Sequence, residues 1–312
     1  MKNDTRIIFM GTNDFSAAIL QSLIDNDYNV VAVISQPDKE VGRKRILQPT
    51  ETKVLATKYN IPVFQPIKIR KDYAFVKELN PSLIITCAYG QIVPQGLLDI
   101  PPLGCINVHA SLLPLLRGGA PIHHALIDGY DKTGVTIMQM IDKMDAGVMY
   151  AKKEITISDD DDLGTLWERL KVIGSELLIS VLDEYIAGNL KGEEQDESKV
   201  TYAFNIKREE EKIDFNQDAR NVFNQIRGLS PFIGAYTTLD GVSVKIYKSE
   251  VVPYNGNEEN GTIVKIDKGI VVKCLNNAIK IKELQFSGKK KMDVNSYLNG
   301  VKKDQLLNKV FK

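Results

Sequence analysis

RIIFMGTNDFSAAILQSLIDNDYNVVAVIS, residues 6–35, sets the pattern of the first part of this chain. Residues 6–11 and 29–35 are continuous apolar runs that predict buried strands, and residues 14–26 between them carry apolar side chains at helical spacing. Buried strands joined by a helix are typical of a parallel sheet that is covered on both faces. The same alternation continues downstream, with strands at 82–88, 104–109 and 134–141 and a long amphipathic helix at 161–189. We therefore predict an α/β domain with a Rossmann-like, mostly parallel sheet.

The composition changes after this long helix. Residues 190–208 are charged and show no sustained apolar period, which predicts a linker. Beyond them a helix is predicted at 217–229, followed by short alternating strands with Asp240-Gly241 as a hairpin turn. Several short strands of this kind close into small barrels, and here we expect an OB-like β-barrel. The predicted division is a first domain 1–189, the linker, and a second domain 209–312.

Length and composition limit the classes of protein to which the chain can belong. With 312 residues and 43 % hydrophobic residues, it can bury the cores of two domains. No apolar run approaches the roughly 20 residues that span a bilayer, and the N-terminus enters a strand without a separate apolar signal segment. The three cysteines form no CxxC pair, so neither a metal site nor a disulfide framework is predicted. We expect a cytoplasmic protein with buried free thiols.

The net charge of zero hides an asymmetry between the two ends of the chain. Residues 262–312 contain 12 lysines and 4 acidic residues, a net charge of +8. Such an excess is consistent with an anionic partner for the C-terminal part, and equally with lysines that keep a small β domain in solution.

The first loop does not fit a dinucleotide cofactor. FMGTNDFSA has one glycine where the phosphate-binding fingerprint needs three, and Asp14 would repel a phosphate. Gly11 still allows a tight turn, and Asn13 or Asp14 can cap the following helix. A nicotinamide or flavin cofactor is therefore not expected.

Polar side chains interrupt the strand predicted at 104–109. Asn107 and His109 are two residues apart and therefore emerge on the same face. Asp142 and Asp145 follow the next predicted strand, where MDAG has the composition of a turn. An amide and an imidazole can hold a carbonyl oxygen that becomes an oxyanion, and an aspartate can orient the imidazole. The trio Asn107, His109 and Asp145 suits attack on a carbonyl carbon, although a buried structural histidine would give the same pattern.

Beyond these residues, the sequence resembles a known family. INVHASLLPLLRGGAPIHHAL is similar to the signature of folate-dependent formyltransferases. GTNDFSAAIL, QPDKEVGRKR, PVFQP, AYGQIVP and GVTIMQMIDKMDAG narrow the resemblance to the members that act on methionyl-tRNA. The resemblance extends through the C-terminal segments GTIVKID and SGKKKM and covers essentially the whole chain.

The resemblance implies an enzyme of one-carbon metabolism that serves translation initiation. Its reaction would move the formyl group of 10-formyltetrahydrofolate, a cosubstrate, to the α-amine of methionine esterified to initiator tRNA. Asn107, His109 and Asp145 match the catalytic residues of the family. The amine is itself the nucleophile, so no covalent enzyme intermediate is required.

The resemblance also assigns the folate site. The motif SLLP matches the folate-contacting loop, and two further segments match the pocket around the pterin ring. The implied folate-binding residues are Ser111, Leu112, Leu113 and Pro114, then Tyr89, Gly90, Gln91 and Ile92, and Asp142. One departure is Leu116, which stands before Arg117 where the family commonly has an aromatic residue.

The implied macromolecular partner is initiator methionyl-tRNA. The basic loop at 38–50 resembles the family's inserted loop that reads the acceptor stem, and Arg43 matches the arginine credited with that reading. The remaining implied tRNA contacts are Lys44 and Arg45 in the same loop and Lys289, Lys290 and Lys291 in the barrel. We expect no metal, no membrane association and a monomer.

Three alternatives stay open at this point. A formyltransferase for a small amine, such as a ribonucleotide or an amino sugar, would share the catalytic trio without needing the basic loop. A folate hydrolase would use water in place of the amine. A non-catalytic tRNA-binding protein on the same scaffold would not need a facing Asn–His pair with a partner aspartate.

Overall fold

The apolar runs of the first half form strands close to their predicted positions in this computed structural model, which describes residues 4–42 and 45–312. In chain order the strands are β1 (Ile7–Gly11), β2 (Val30–Ile34), β3 (Lys39–Val41), β4 (Ile46–Gln48), β5 (Val63–Phe64), β6 (Leu83–Cys87), β7 (Cys105–His109), β8 (Lys132–Gln139) and β9 (Met149–Thr156). The helices among them are α1 (Asp14–Asp25), α2 (Glu51–Lys58), α3 (Ala74–Glu78), α4 (Gln95–Leu98), α5 (Pro121–Ile127) and α6 (Leu163–Ile186).

Seven of these strands make one sheet in the order β5-β2-β1-β6-β7-β8-β9, and β3 and β4 form a separate antiparallel hairpin. β1 is parallel to β2 and β6, and β7 is parallel to β6, which confirms the mostly parallel sheet. β8 is antiparallel to β7, so extending the parallel arrangement to the apolar run at 134–141 is wrong. The segment between β7 and β8 contains only the seven-residue α5 and does not carry the chain back to the start of the sheet.

The turn after β1 shows why the first loop holds a single glycine. A Cβ on Gly11 would lie 2.6 Å from the Cβ of Ser16 and 2.9 Å from the carbonyl oxygen of Cys87, so only glycine fits between β1, α1 and β6. The Asn13 side chain caps α1 by accepting a hydrogen bond from the Ser16 amide, as expected. The glycine therefore serves packing.

The strand order reverses between β1 and β6, because the chain builds outward from β1 first on one side and then on the other. Loops at such a reversal line the ligand crevice of open α/β sheets. Here they are the turn after β1 and the segment that follows β6. The Thr12 hydroxyl joins them by donating to the Tyr89 carbonyl at 2.9 Å.

The chain divides into two compact units that each combine three segments. The first contains Met1–Pro121, Thr133–Ile155 and Trp167–Phe204, and the second contains Ile122–Lys132, Thr156–Leu166 and Asn205–Lys312. Within the first unit, the charged stretch after α6 is paired with the rest: Glu193 bridges Met149, and Tyr202 bridges Arg117. The division at 1–189, 190–208 and 209–312 stays a prediction.

The second unit contains an antiparallel sheet. Its elements in chain order are α7 (Ala219–Leu229), β10 (Ala235–Leu239), β11 (Val242–Val252), β12 (Ile263–Ile266), β13 (Ile270–Lys273), β14 (Ala278–Phe286), β15 (Met292–Asp293) and α8 (Val294–Leu298). The sheet order is β10-β11-β14-β13-β12, with β15 paired to β14. The predicted Asp240-Gly241 turn joins β10 to β11, with both residues at positive φ.

The last residues of the chain close this sheet. The Ile263 amide in β12 donates to the Lys309 carbonyl, and Thr238 in β10 exchanges two backbone hydrogen bonds with Lys312. One edge strand is thereby linked to the other, which agrees with the predicted small barrel. Phe311 lies between these contacts, 2 % exposed, in the apolar core of the unit.

We expect Phe311→Ala to destabilise the second unit by about 3–5 kcal/mol, the usual cost of truncating a buried phenylalanine. Circular dichroism in urea measures the effect as a lower unfolding midpoint. Lys312→Ala is the matched control, because its side chain is exposed and its backbone contacts remain. Equal midpoints for the two variants would contradict the role of the C-terminal residues in the core.

No helix in the described part of the chain is long and apolar enough to cross a membrane. The cysteines Cys87, Cys105 and Cys274 are free and buried, as predicted, and burial raises the pKa of each thiol.

Candidate active site

Asn107 and His109 lie on β7 next to a polar residue of β6. Thr86 is the register partner of Asn107, and its hydroxyl lies 2.8 Å from the Asn107 Oδ1 atom. When that hydroxyl donates to the amide oxygen, the amide nitrogen of Asn107 keeps both of its hydrogens for another acceptor. Thr86 was not predicted from the sequence, because its role follows from the strand register.

His109 is nearly buried, with 5 % of its surface exposed. Its Nε2 atom lies 3.1 Å from the carbonyl oxygen of Leu116, and its Nδ1 atom lies 3.7 Å from Asp145 Oδ1. A carbonyl oxygen only accepts hydrogen bonds, so Nε2 carries a hydrogen in this arrangement. The ring therefore lies between the Leu116 carbonyl on one side and the Asp145 carboxylate on the other.

Asp145 reaches His109 from a loop that folds back. Because β8 is antiparallel, its last residue Gln139 pairs with Ile106, near the start of β7. The loop after β8 therefore returns along β7, and Asp145 takes a left-handed backbone conformation at φ +47°. The Gly118 amide donates to Asp145 Oδ2 at 2.8 Å, which leaves Oδ1 directed at the histidine.

The structure thus brings the three predicted catalytic residues together. An amide donor, an imidazole and a carboxylate form one cluster of buried and half-buried groups, where hydrogen bonds to a developing negative charge are stronger than in water. The 3.7 Å separation between His109 and Asp145 leaves room for the contact to shorten when a ligand binds. The cluster is suited to an addition at a carbonyl carbon, with proton movement through the histidine.

Residues 88–92, which follow β6, form a shelf beside this cluster. Ala88 and Gly90 both have positive φ, at +43° and +85°. The Tyr89 carbonyl accepts from Thr12 and from the Gln36 side chain, and the Tyr89 ring is buried, which raises the pKa of its hydroxyl to about 12. Two donors to one carbonyl hold the backbone of the shelf in place.

Side chains on this shelf differ in what they can offer. Gln91 is occupied internally: its amide donates to the Pro66 carbonyl and its oxygen accepts from the Ile69 amide. Ile92 is 63 % exposed. Ligand contacts from Gln91 would therefore come from its backbone, whereas Ile92 presents an apolar side chain.

The SLLP loop is held from beneath by Thr136 on β8. The Thr136 hydroxyl donates to the Ser111 carbonyl at 2.7 Å and accepts from the Leu113 amide at 3.2 Å. Ser111 and Leu113 are buried, whereas Leu112 and Pro114 are partly exposed. The Ser111 hydroxyl donates to the Leu115 carbonyl, so it shapes the loop.

Comparison with known proteins assigns the family. A family model described as "Formyl transferase" matches residues 5–182, and one described as "Formyl transferase, C-terminal domain" matches residues 205–302. The chain belongs to the formyl transferase family. The protein named methionyl-tRNA formyltransferase in Bacillus cereus (strain B4264) is 50 % identical over 301 residues, covering 95 % of this chain and 96 % of the relative. The chain is therefore a formyl-transferring enzyme.

Solved structures share the fold of this formyl transferase. The N-formyltransferase from Helicobacter canadensis, solved with folinic acid and dTDP-3-aminofucose, has a TM-score of 0.65 at 16 % identity, covering 92 % of this chain and 100 % of that one. HypX from Aquifex aeolicus, in complex with tetrahydrofolic acid, has a TM-score of 0.62 at 17 % identity over 94 % of this chain. The formyl transferase chain spans about half the length of HypX, 46 %.

A buried arginine supports the site of the formyl transferase. Arg117 is fully buried, and its Nε and Nη2 atoms donate to Gln195 Oε1 at 3.0 and 2.8 Å. Nη2 also donates to Glu197, and this contact together with Lys143 lowers the pKa of the Glu197 carboxyl to about 2. Sequence reasoning missed both Arg117 and Gln195. The only signal was an arginine between an apolar run and two glycines.

The predicted tRNA contacts of the formyl transferase fall into three groups. Arg43 and Lys44 lie outside the described residues. Arg45 is exposed and forms an ion pair with Glu40, and Lys289 and Lys290 are exposed. In the third group, Lys291 pairs with Glu283 at 3.0 Å and lies 4.9 Å from the centre of the Tyr247 ring.

Two other predictions concern acidic groups. Asp142, predicted to contact folate, is exposed on the loop that carries Asp145. No cluster of three or more histidine, cysteine, aspartate or glutamate residues that could hold a metal ion occurs among residues 4–42 and 45–312.

Proposed function

We propose that this formyl transferase moves the formyl group of 10-formyltetrahydrofolate to the α-amine of methionyl-initiator tRNA. The observation that carries the proposal is the Asn107–His109–Asp145 cluster in a chain that matches a methionyl-tRNA formyltransferase along 95 % of its length. Folate-bound neighbours with the same fold support the donor. The product would serve translation initiation.

In the proposed reaction, the free amine of the methionyl ester attacks the formyl carbon. A C–N bond forms, and the carbonyl oxygen becomes an oxyanion that the Asn107 amide stabilises by a hydrogen bond. The Nε2 hydrogen of His109 adds a second hydrogen bond by leaving the Leu116 carbonyl for the oxyanion, while Nδ1 stays directed at Asp145. The bond from the formyl carbon to the folate nitrogen then breaks. The proton lost by the attacking amine passes through His109, oriented by Asp145, toward the departing nitrogen, so the charges balance.

The folate would lie between the shelf and the SLLP loop. We infer that the backbone of Tyr89–Ile92 and the residues near Asp142 pair with the pterin edge. Leu112 and Pro114 supply partly exposed apolar surface, whereas Ser111 and Leu113 act from beneath. This arrangement would direct the formyl group at Asn107 and His109.

The tRNA would be held by the basic groups of both units. Arg45 is exposed just before β4, and Arg43 and Lys44 precede it in the sequence. Lys289 and Lys290 are exposed in the second unit. Groups of this kind contact phosphates and unpaired base edges. We propose that the protein acts in the cytoplasm as a monomer.

The deciding experiment incubates the protein with 10-formyltetrahydrofolate and methionyl-initiator tRNA and measures formyl-methionine after deacylation. Elongator methionyl-tRNA, glycinamide ribonucleotide and an amino sugar nucleotide run in parallel. Formylation confined to the initiator tRNA would support the proposal. Release of formate alone would show that water is the acceptor, and formylation of a small amine instead would show that the acceptor is not methionyl-tRNA. RNA binding without turnover would contradict the catalytic role of the cluster.

We expect Arg43→Ala to raise the KM for initiator tRNA and to narrow the difference in kcat/KM between initiator and elongator tRNA. The reason is the proposed contact of this side chain with the acceptor stem. Steady-state kinetics with both tRNAs measures the effect, and the KM for the folate should not change. Equal discrimination in the variant and the parent would contradict the role of Arg43.

Lys289→Ala combined with Lys290→Ala should weaken binding of all tRNAs alike. Each lost phosphate contact should flatten the plot of log affinity against log salt by about one unit. Lys291→Ala should have a smaller effect, because that ammonium group is already paired with Glu283. Filter binding between low and moderate salt measures the slope for each variant. A larger change of slope in Lys291→Ala than in the double variant would mean that Lys291, and not Lys289 and Lys290, makes the phosphate contacts.

A further inference from the structure

The loop that carries Asp145 is held by a side chain from the stretch predicted to be a linker. The Gln195 amide nitrogen donates two hydrogen bonds of 2.8 Å, one to the carbonyl oxygen of Asp145 and one to that of Gly147. Its oxygen accepts the two hydrogen bonds from Arg117. One buried glutamine therefore uses four hydrogen bonds to join the turn 145–147 to the guanidinium group.

Arg117 also contacts the same turn through the backbone that follows it. The next residue, Gly118, donates its amide hydrogen to Asp145 Oδ2 at 2.8 Å, and the residue before it, Leu116, offers its carbonyl to His109. The backbone of Arg117 is itself paired with Thr201 and Ala203. The segment that touches both catalytic side chains is thus anchored at its centre by Arg117.

The turn needs such support because its backbone is strained. Asp145 has a φ of +47°, a conformation that L-residues rarely adopt without compensation. A Cβ on Gly147 would lie 2.1 Å from the carbonyl oxygen of Gln139, so the turn also packs tightly against the end of β8. With their carbonyls pointing at one amide, Asp145 and Gly147 are held in this shape by Gln195.

We propose that Gln195 is a positioning residue for catalysis: it holds the turn 145–147 so that the Asp145 carboxylate faces His109. The inference rests on the proposed function for its kinetic part. The buried charge of Arg117 acts by fixing the Gln195 oxygen, which leaves only the amide hydrogens to face the turn. The stretch after α6 thereby completes the active site, although Gln195 lies 78 residues from Arg117 in the sequence.

Two variants distinguish the role of the Gln195 amide oxygen from that of its amide nitrogen. Gln195→Glu keeps an oxygen for Arg117 and strengthens that contact with a charge, but it offers no hydrogens to the two carbonyls. Gln195→Leu removes both the acceptor for Arg117 and the donor to the two carbonyls. Glu197→Gln is the matched control, because it alters the other partner of Arg117 and leaves the glutamine in place.

We expect Gln195→Glu and Gln195→Leu each to lower kcat about 10–100-fold, since a small misplacement of a catalytic group has effects of that size. The KM for tRNA should change little, whereas the KM for folate should rise, because the loosened loop also carries the proposed pterin contacts near Asp142. Glu197→Gln should stay near the parent in kcat and in both KM values. In the Asp145→Asn background, Gln195→Glu should cause no further loss, because its effect passes through the aspartate. A full additional loss in that background, or an unchanged kcat in Gln195→Glu, would overturn the proposal.

Hydrogen–deuterium exchange tests the same inference without any substrate. In Gln195→Glu, peptides that cover Gly118 and residues 141–148 should exchange faster than in the parent, while the strands of the sheet stay protected. Unchanged exchange in both peptides would overturn the proposal even if the parent formylates another amine. If the parent protein formylates no methionyl-tRNA, the proposed function fails, and the exchange result still decides the role of Gln195.

Discussion

Replacing Asn107 by alanine is expected to lower kcat about 10²–10³-fold, the usual effect of removing one donor to an oxyanion. The amide nitrogen is the group lost, because the amide oxygen faces the Thr86 hydroxyl at 2.8 Å. That hydroxyl also lies 3.3 Å from the Ile106 carbonyl, so it retains an acceptor in the variant. The fold should therefore persist, and steady-state kinetics with saturating folate and methionyl-tRNA measures the loss.

Asn107→Asp supplies the control for this result. An aspartate keeps the shape of the side chain and can still accept from Thr86, but it brings a negative charge toward a developing oxyanion. We expect its kcat to fall at least as far as that of the alanine variant, with an unchanged unfolding midpoint. A kcat within about threefold of the parent for Asn107→Ala would remove the amide from the mechanism.

Asp145→Asn should have the second large effect, a loss of about 10²–10⁴ in kcat, because proton transfer by a positioned group contributes that much. The asparagine oxygen can still accept from the Gly118 amide, so the turn keeps one of its contacts. What disappears is the negative charge that faces His109 Nδ1. The variant thus tests the negative charge of Asp145 while keeping the shape of its side chain.

Lys143→Ala, on the same loop, is the control for Asp145→Asn. Lys143 is exposed and pairs with Glu197, so its removal changes the charge of the loop without touching His109. We expect near-parent kcat for it. Comparable losses in the two variants would mean that the loop as a whole, and not the Asp145 carboxylate, supports turnover.

The antiparallel β8 explains how these three side chains meet. A parallel strand would end level with His109, and a short turn would then be enough to reach it. Instead β8 ends opposite Ile106, and the loop must return along β7. A returning loop has no ladder hydrogen bonds of its own, so it relies on Gln195, Gly118 and the packing of Gly147. This dependence makes the stretch after α6 part of the active site.

The sequence by itself determined much of this protein. Continuous apolar runs predicted the strands of the parallel sheet, since strands buried on both faces need apolar side chains at every position. Two-residue spacing placed Asn107 and His109 on one face, because side chains alternate along a strand. The Asp240-Gly241 pair predicted a hairpin, because both positions need positive φ. The family was also recognisable from its motifs, which the comparisons confirmed.

Only the tertiary structure decided the direction of β8, the source of the support beneath Asp145 and which residues close the predicted barrel. Strand direction depends on how the chain returns between β7 and β8, and an apolar run reads the same in either direction. Arg117 and Gln195 are 78 residues apart, and a buried arginine is indistinguishable in sequence from a solvated one. Likewise, residues 309–312 carry no strand pattern, because their partners are the two edges of a sheet that exists only once the chain has folded.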